Sequence, residues 1–373
     1  MIKSWCNQVG FALLLLSGSG IAAAQEVCSH GDRSAIEQML IVKIPEATGA
    51  SRETFVQWLS ERNIGGVYLS KKSTRNLRSA SEVRDYVTAL QEGRETGLFV
   101  SIDQEGGSYQ GLDATNGFAT LPAATDICRA SSGEAVAEFA RTAIGQPLAQ
   151  VGVNMNFAPV LDVALNAQSD IIVRSGRACS DDPARVAAFG RQVSDGLTRA
   201  GVIPVGKHFP GHGDVAGDTH SGAVYSNKTL ARLEAEDLVP FKAFVDARGP
   251  AIMVSHIVIT VVDDTTPASL SRPAVTGILR ERYGYEGVVI TDDLTMKAVT
   301  EYTDGQTAAA AQQAILAGVD LLIIGQSDTK DVVSKVCRGL NAHDSATLRS
   351  RVIDANNTIL DLKQRFGIRT PQS

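Results

Sequence analysis

Residues 207–220, which read KHFPGHGDVAGDTH, concentrate side chains that can transfer protons. The stretch holds one lysine, three histidines and two aspartates, and its glycines and proline predict an irregular loop. Histidine titrates near neutral pH, and a carboxylate such as Asp218 would fix the tautomer of His220 and stabilise its charged form. We therefore predict that His220 is an acid/base group, with Lys207 and His208 donating hydrogen bonds to hydroxyl groups of a ligand.

A second segment, residues 287–296 with the sequence GVVITDDLTM, carries two consecutive carboxylates. Burying such groups at the end of a strand costs desolvation free energy, unless they are paired with other polar groups or take part in binding or catalysis. Adjacent strand residues point to opposite sides, so only one of Asp292 and Asp293 can face a site. Both sides of this strand are apolar, so the pattern leaves open which aspartate is the candidate nucleophile. The alternative is that both cap the following helix.

A third segment, SIDQEGG at residues 101–107, offers one further short carboxylate. Asp103 could accept hydrogen bonds from two neighbouring hydroxyl groups, and the paired glycines let the backbone turn away from a pocket. Taken alone the pattern is only moderately informative, because an aspartate before two glycines is often part of a simple turn.

The elements that must position these residues alternate regularly along the chain. Eight short runs rich in Val, Ile and Leu span residues 39–44, 65–69, 98–102, 153–157, 202–205, 252–257, 288–291 and 319–324. Amphipathic stretches between them include residues 52–61, 81–92, 133–148, 183–199 and 307–317. Continuous apolar runs are typical of parallel strands that are buried on both faces. Eight strand–helix repeats predict a TIM-like (β/α)8 barrel, with a doubly wound sheet as the alternative.

Polar side chains stand at or just beyond the carboxyl ends of these predicted strands. They are Asp103, Asp162, Lys207, His208, His256, Asp292 and Asp293. Catalytic groups of TIM-barrel enzymes gather at that face of the barrel. No linker divides the chain, so we predict one catalytic domain over residues 25–373, after a signal peptide at residues 1–24.

The loop that ends at His220 also allows a metal site. Its candidate ligands would be His208, His212, Asp214, Asp218 and His220, residue types that suit zinc or manganese. Barrel metallohydrolases usually carry a His-x-His sequence at the end of the first strand, and residues 39–44 contain none. We therefore expect neither a metal nor another cofactor. A third possibility is that these side chains only stabilise the loop's own turns.

Composition and the amino terminus predict a compact soluble protein that is exported. The chain has 373 residues, 44% of them hydrophobic, a formal net charge of −6 and no basic run, which argues against a nucleic-acid partner. Lys3, an apolar stretch and three alanines ending at Ala24 predict a cleaved signal peptide, hence a periplasmic or secreted location without a membrane anchor.

Cleavage after Ala24 would remove Cys6 and leave four cysteines, which in an oxidising compartment favours two disulfides. We favour the pairing of Cys128 with Cys179, in loops that would flank one end of the barrel. Cys28 and Cys337 would then connect the amino terminus to a late helix. Buried free thiols are the alternative.

Together the chemical segments resemble glycoside hydrolase family 3, specifically its single-domain bacterial β-N-acetylglucosaminidases. The resemblance extends over about residues 39–325. It includes IDQEGG from Ile102, NFAPVLDV from Asn156, KHFPGHG followed by Asp-Thr-His, and TDDLTM from Thr291. It implies a metal-free β-N-acetylhexosaminidase on a (β/α)8 barrel.

The resemblance also implies a role for individual residues of this sequence. Asp292 matches the catalytic nucleophile, His220 the general acid/base and Asp218 the partner of that histidine. Residues that match binding positions for the terminal sugar are Asp103, Arg177, Lys207 and His208. Arg174 is a weaker match than Arg177 for the same sugar contact.

One position departs from the pattern of the family. After the paired glycines its members typically have Arg-Val-x-Arg, whereas this chain has Ser-Tyr-Gln-Gly, so that Gly111 replaces a sugar-binding arginine. Either another cation fills that space or the terminal sugar lies differently.

The resemblance leaves some alternatives of function open. A β-glucosidase or a glycosyl phosphorylase could use the same barrel, and an inactive sugar-binding protein is a further alternative. We expect a monomer that acts on an oligosaccharide, either a peptidoglycan fragment or a chitooligosaccharide.

Overall fold

The eight apolar runs form the strands of a closed, parallel barrel in a computed structural model, which describes residues 28–46 and 49–370. The predicted signal peptide and Cys6 lie outside the described residues. Labelled β1 to β8 along the chain, the strands are Leu40–Lys43, Gly66–Leu69, Phe99–Ile102, Met155–Asn156, Ile203–Phe209, Ala251–Val254, Val288–Asp293 and Leu321–Ile324. The predicted (β/α)8 barrel is confirmed.

The sheet closes because the first strand pairs with the last. In β1 and β8, Leu40 lies opposite Leu322 and Val42 opposite Ile324. Strand residues such as Ile41 are fully buried, since the barrel interior covers one face of the sheet and the helices cover the other.

Helices surround the barrel and alternate with its strands. Labelled α1 to α14, they are His30–Gln38, Gly49–Ser60, Lys71–Thr74, Ala80–Gln91, Ala124–Ala130, Glu134–Phe139, Gln146–Gln150, Pro183–Arg199, Leu230–Ala235, Leu238–Asp246, Lys297–Tyr302, Thr307–Ala317, Thr329–Leu340 and Ala346–Arg365. Among the described residues, three wider, π-helical stretches cover Ala140–Gly145, Asp170–Arg174 and Pro273–Arg282. Within the described part of the chain, no helix is both long enough and apolar enough to cross a bilayer.

Local sequence explains where the helices begin. The predicted helix at residues 183–199 has the bounds of α8, since the Asp182 side chain accepts a hydrogen bond from the Ala184 N–H and Pro183 fits the first turn. The predicted helix at residues 133–148 is instead divided into α6, a π-helical stretch and α7. Pro147 lacks an N–H and cannot continue a regular α-helical ladder, so the wider turn precedes it.

Two disulfides join distant parts of the chain, in the predicted pairing. Cys28, before α1, is bonded to Cys337 in α13 across 309 residues. Cys128 is bonded to Cys179, but Cys128 lies on helix α5, where the sequence had suggested a loop. Disulfides persist in oxidising compartments, so the two bonds indicate an extracytoplasmic protein.

Helix α14 places a lysine amine beneath the barrel, at the amino ends of the strands. Lys363 is fully buried, donates a hydrogen bond to Gln38 Oε1 at 2.8 Å and lies over the Phe99 ring at 4.9 Å. Burial, with a smaller contribution from Arg94, lowers the pKa of Lys363 to about 7 from its ordinary value of 10.5. Between pH 7 and pH 10.5, Lys363 is therefore protonated in the unfolded chain but not in the folded chain, so the unfolded chain binds one more proton.

This buried amine predicts how stability depends on pH. Because stability rises with pH wherever the unfolded state binds more protons, the wild type should gain roughly 1.4 kcal/mol per pH unit relative to Lys363→Met between pH 7 and 10. Urea unfolding of both proteins at several pH values measures the difference. Lys242→Met, which removes an exposed amine, should show no such trend, and parallel curves for wild type and Lys363→Met would contradict the prediction.

Candidate active site

A cavity of about 210 Å³ lies at the carboxyl end of the barrel strands. Its wall includes six of the seven residues to which the family resemblance gives a catalytic or sugar-binding role: Asp103, Arg177, Lys207, His208, His220 and Asp292. The seventh, Asp218, contacts His220 from outside the cavity wall. A larger groove of about 690 Å³ at the other end of the barrel is lined by none of them. The acid/base candidate and the nucleophile candidate therefore share one pocket.

The two consecutive aspartates of β7 both line the pocket, contrary to the prediction that only one of them could face a site, but their contacts differ. Asp293 accepts hydrogen bonds from Lys43 Nζ at 2.6 Å and from the Thr295 hydroxyl at 2.7 Å. The Asp292 carboxylate accepts a 2.7 Å hydrogen bond from the Asp293 N–H through Oδ1. Asp293 is thus engaged on both oxygens, whereas Oδ2 of Asp292 is the carboxylate oxygen available to a ligand in the pocket. This difference could not be read from the apolar pattern of the strand.

Cationic and polar groups keep Asp292 ionised. Burial alone would raise the pKa of the carboxyl, but His256, His208, the Asp293 N–H and the charged amine of Lys207 together outweigh it, and the pKa lies below its usual value. His256 is itself fully buried, with its own pKa lowered by burial. A carbonyl only accepts, so His256 Nε2 donates to the Asp293 carbonyl at 2.9 Å. An anionic carboxylate is the form that a nucleophile requires.

His220 is held by its neighbour on a loop at the rim of the pocket. Its Nδ1 lies 2.8 Å from Asp218 Oδ1, and its backbone N–H donates to the same oxygen at 2.9 Å. The ring is 66% exposed, and the preceding residue, Thr219, accepts a hydrogen bond from the Ala298 N–H at the start of α11. Because Nδ1 donates to the carboxylate, Nε2 is the ring nitrogen that can exchange a proton with a ligand.

Lys207, also in the pocket wall, joins two carboxylates. Its amine is 2% exposed and forms ion pairs with Asp103 and, at 2.6 Å, with Glu105. Burial tends to lower the pKa of Lys207, but the two carboxylates raise it above the ordinary value, so the lysine stays charged. The Tyr68 hydroxyl donates to Oδ2 of Asp103. Asp103 is therefore fixed by a cation on one oxygen and a hydroxyl on the other.

Arg177 forms the most extensive polar contact of the pocket. Its guanidinium donates two hydrogen bonds of 2.8 Å to Glu105 and lies 4.0 Å from the centre of the Tyr109 ring. Burial would raise the pKa of Glu105, but Arg177 and Lys207 lower it to about 2. Bidentate geometry and stacking are both specific to arginine. Glu105 thereby locks the orientation of the guanidinium.

His208 bridges Arg177 and a buried aspartate. Its Nδ1 lies 2.7 Å from Asp162 Oδ2, and its Nε2 lies 3.2 Å from Arg177 Nη2. Arginine cannot accept, so Nε2 is the acceptor and the proton is on Nδ1. Burial opposes the ionisation of Asp162, yet His208 and His212 hold the pKa of Asp162 below its usual value. The tautomer of His208 is therefore set by its two neighbours. Its single N–H is used by Asp162, so the predicted donation of a hydrogen bond from His208 to a ligand hydroxyl does not fit this arrangement.

Arg174, the weaker sequence candidate, points elsewhere. It forms an exposed ion pair with Asp170 at 2.8 Å and is not part of the pocket wall, whereas Arg177 is. The two arginines thus provide a matched comparison of a buried and an exposed ion pair.

Removing the guanidinium of Arg177 should destabilise the fold. Arg177→Met leaves Glu105 buried with Lys207 as its remaining cation, and breaking such a pair costs roughly 3–5 kcal/mol. Arg174→Met should change the free energy of unfolding by at most about 1 kcal/mol, since exposed pairs contribute little. Urea unfolding of both variants tests the contrast. Equal stability of the two variants would show that the buried pair does not support the pocket.

Three residues that contact the predicted site residues, Glu105, Tyr68 and Tyr109, were not themselves predicted from the sequence. Glu105 lies within the quoted IDQEGG segment and could have been found there, as a carboxylate close to Asp103. Tyr68 lies within β2, and Tyr109 follows the paired glycines. Neither position has a local pattern that separates it from an ordinary strand or loop residue. Their contacts to Asp103 and Arg177 depend on the closed barrel.

Gly111 does not leave a space for an absent arginine side chain. A Cβ atom at this position would lie 2.6 Å from Ile102 Cγ1 and 3.1 Å from the Asp103 carbonyl oxygen. The residue is buried against the start of the same segment, and its N–H donates to the Asp103 carbonyl. A side chain at 111 would therefore require a shift of Ile102, and the arginine and lysine side chains in the pocket wall are Arg177 and Lys207.

The loop residues of the metal alternative make other contacts. Asp214 pairs with Lys228 at 3.4 Å and accepts a hydrogen bond from Ser226 at 3.1 Å, while His208 is engaged by Asp162. Over residues 28–46 and 49–370, no three or more His, Cys, Asp or Glu side chains are arranged so that they could hold a metal ion. The loop histidines therefore do not converge on one point.

Sequence comparison gives a match over most of the chain. Residues 33–355 match the glycosyl hydrolase family 3 N terminal domain. A beta-hexosaminidase of Xylella fastidiosa (strain 9a5c) is 35% identical over 291 residues, which cover 77% of this chain and 83% of that protein.

Two solved structures are similar over almost the whole chain. A glycoside hydrolase family 3 beta-N-acetylglucosaminidase from Paenibacillus sp. str. FPU-7 has a TM-score of 0.79 at 28% identity and covers 91% of this chain. This chain spans 64% of that longer protein. A beta-N-acetylhexosaminidase from Beutenbergia cavernae DSM 12333 has a TM-score of 0.78 at 29% identity, over 89% of this chain and 98% of that one.

Proposed function

Because the chain belongs to glycoside hydrolase family 3, and is therefore a glycosidase, we propose that it is a retaining exo-β-N-acetylglucosaminidase. It would release terminal β-linked N-acetylglucosamine from an oligosaccharide. The observation that carries the proposal is the single pocket lined by both Asp292 and His220. The similar beta-hexosaminidase and beta-N-acetylglucosaminidase described above support the choice of sugar.

In the first step, Asp292 Oδ2 attacks the anomeric carbon. The glycosidic carbon–oxygen bond breaks, and the leaving oxygen takes a proton from Nε2 of His220. A covalent glycosyl-enzyme results. The low pKa of Asp292 keeps the attacking oxygen anionic, and Asp218 stabilises the imidazolium before it gives up its proton.

In the second step, water replaces Asp292 at the anomeric carbon. His220 Nε2 takes a proton from the water, the bond from carbon to Asp292 breaks, and the sugar leaves with retained β configuration. The terminal sugar would be held by Asp103, Arg177, Lys207 and His208, as their matches to sugar-binding positions imply. Because Glu105, Tyr68 and Asp162 fix these side chains, the binding groups are oriented before the ligand arrives.

The two disulfides are consistent with action outside the cytoplasm, and we propose a periplasmic or secreted enzyme. Peptidoglycan fragments and chitooligosaccharides both carry the proposed sugar. Product analysis on each substrate type would distinguish the two natural roles.

Nitrophenyl glycosides test the proposed reaction directly. The protein should hydrolyse the N-acetyl-β-glucosaminide at least about 10-fold faster than the β-glucoside, and added phosphate should yield no glycosyl phosphate. A strong chelator should leave the rate unchanged. Preference for the glucoside would favour a β-glucosidase, and glycosyl phosphate would favour a phosphorylase. Binding without turnover would indicate a sugar-binding protein.

A further inference from the structure

A buried ionic cluster lies at the base of the loop that carries His220, outside the pocket. Lys228 is 4% exposed, and its amine contacts Asp214 at 3.4 Å, Glu236 at 2.9 Å and Asp237. Asp237 is almost completely buried. Neither the sugar contacts nor the proton transfers proposed above use these four residues, so the cluster needs another explanation.

The cluster connects the two ends of the loop. Asp214 lies six residues before His220, and its Oδ2 accepts a 3.1 Å hydrogen bond from the hydroxyl of Ser226, which lies six residues after His220. Lys228 Nζ contacts the other oxygen of the same carboxylate. One carboxylate thus closes the base of the loop, and one amine attaches that base to the junction of α9 and α10.

The backbone beside Asp214 is also in close contact with the body of the protein. A Cβ on Gly211 would lie 2.7 Å from Asp237 Cβ, and a Cβ on Gly213 would lie 1.8 Å from the Val163 carbonyl oxygen. The Asp214 carbonyl accepts a hydrogen bond from Asn166 Nδ2 at 3.0 Å. Beyond Asp214 the loop becomes more exposed, and the His220 side chain is 66% exposed. Asp214 is therefore an anchor from which the exposed part of the loop extends.

We propose that Lys228 is a positioning residue for acid/base catalysis, acting through Asp214 to hold the Asp218–His220 pair at the rim of the pocket. The inference rests on the proposed role of His220. Lys228 touches no reacting atom. It neutralises the anchor and joins it to Asp237 and Glu236, so that the loop has one preferred position.

Electrostatics agree with this geometry. Burial tends to lower the pKa of Lys228, but Asp237, Glu236 and Asp214 raise it above its ordinary value. The amine therefore remains a cation in its buried position. An uncharged side chain at 228 would leave three carboxylates without their shared cation, and the loop-side carboxylate, Asp214, is the one closest along the chain to the acid/base pair.

Leaving-group dependence separates a positioning role from a general structural one. Protonation by a general acid matters most when the leaving oxygen is basic. A displaced His220 should therefore slow the hydrolysis of phenyl N-acetyl-β-glucosaminide far more than that of the 2,4-dinitrophenyl glycoside. We expect Lys228→Met to lower kcat/KM about 10- to 100-fold for the phenyl substrate and less than about 3-fold for the dinitrophenyl substrate. Lys228→Arg should restore most of the loss. Lys242→Met, at an exposed ion pair, is the matched control and should behave as wild type.

A second variant keeps the test valid if Lys228→Met does not fold. Asp214→Ala removes the contact at the base of the loop but leaves Lys228 paired with Glu236 and Asp237, and it should show the same dependence on leaving group. Suppose that His220→Ala shows the steep dependence of kcat/KM on the leaving group. Then an equal loss of kcat/KM on both substrates, or no loss, in the folded variants at 228 and 214 would overturn the inference. If His220→Ala itself shows none, the proposed role of His220 fails, and the inference fails with it.

Discussion

Replacing Asp292 with alanine should lower kcat by about 10⁴-fold or more, the largest effect that we expect from any single change. Asp103 and Asp293, the other carboxylates of the pocket wall, are each paired with a lysine, whereas Asp292 is not in direct contact with one. Without the Asp292 carboxylate no glycosyl-enzyme can form. Steady-state hydrolysis of the nitrophenyl N-acetyl-β-glucosaminide measures the loss. Added azide should restore part of the turnover and yield the α-glycosyl azide, because the small anion then attacks directly with inversion.

The neighbouring carboxylate supplies the control. Asp293→Asn changes a side chain that Lys43 and Thr295 already engage, so its effect on kcat should be far smaller. A wild-type rate in Asp292→Ala, or a β-configured azide product, would refute the role of Asp292 as nucleophile. Equal losses in the two variants would indicate that the pair acts only through the structure of β7.

Replacing His220 with alanine should slow turnover by about 10²–10⁴-fold for substrates with basic leaving groups, the usual contribution of a general acid/base. The ring is exposed and contacts Asp218, so its loss should leave the fold and the binding residues intact. Azide should again increase turnover, but here the product should be the β-glycosyl azide, since Asp292 still forms the glycosyl-enzyme.

The configuration of the azide product distinguishes the nucleophile from the acid/base group, whatever the size of the two losses in rate. Asp218→Asn should show a weaker version of the His220 effect, because the imidazole keeps its place but loses the charge that favours its protonated form. An unchanged rate in His220→Ala would exclude the histidine as the proton donor. Near-ultraviolet circular dichroism of each variant confirms that the pocket is still folded.

The barrel was predictable because its signal is repeated. Eight apolar runs that alternate with amphipathic stretches leave few other architectures. Asp182 and Pro183 mark the start of α8, and Gly318 marks the end of α12. The interruption between α6 and α7 was missed, although Pro147 marks it, because an amphipathic pattern continues across the break. The register that closes β1 on β8 is a long-range property and has no local signal.

The candidate site was predictable in its chemistry but not in its orientation. The segments that hold Asp103, Lys207 and Asp292 contain residue types that suit the proposed reaction. Both consecutive aspartates line the pocket, and the sequence could not show which of them keeps a carboxylate oxygen available to a ligand, since that depends on the contact of Lys43 with Asp293. It also could not show the contact between Tyr68 and Asp103, because the two residues meet only when neighbouring strands are assembled.

The way the barrel closes affects what a single cut in the chain would do. The strands that meet at the junction, β1 and β8, are hydrogen-bonded, and the covalent bond between Cys28 and Cys337 joins the segments just outside them. Hydrolysis of one peptide bond in an exposed loop between these cysteines would therefore leave two fragments that stay attached. A protein exposed to foreign proteases could be nicked once without its halves diffusing apart, and the damage would be visible on a gel only after reduction.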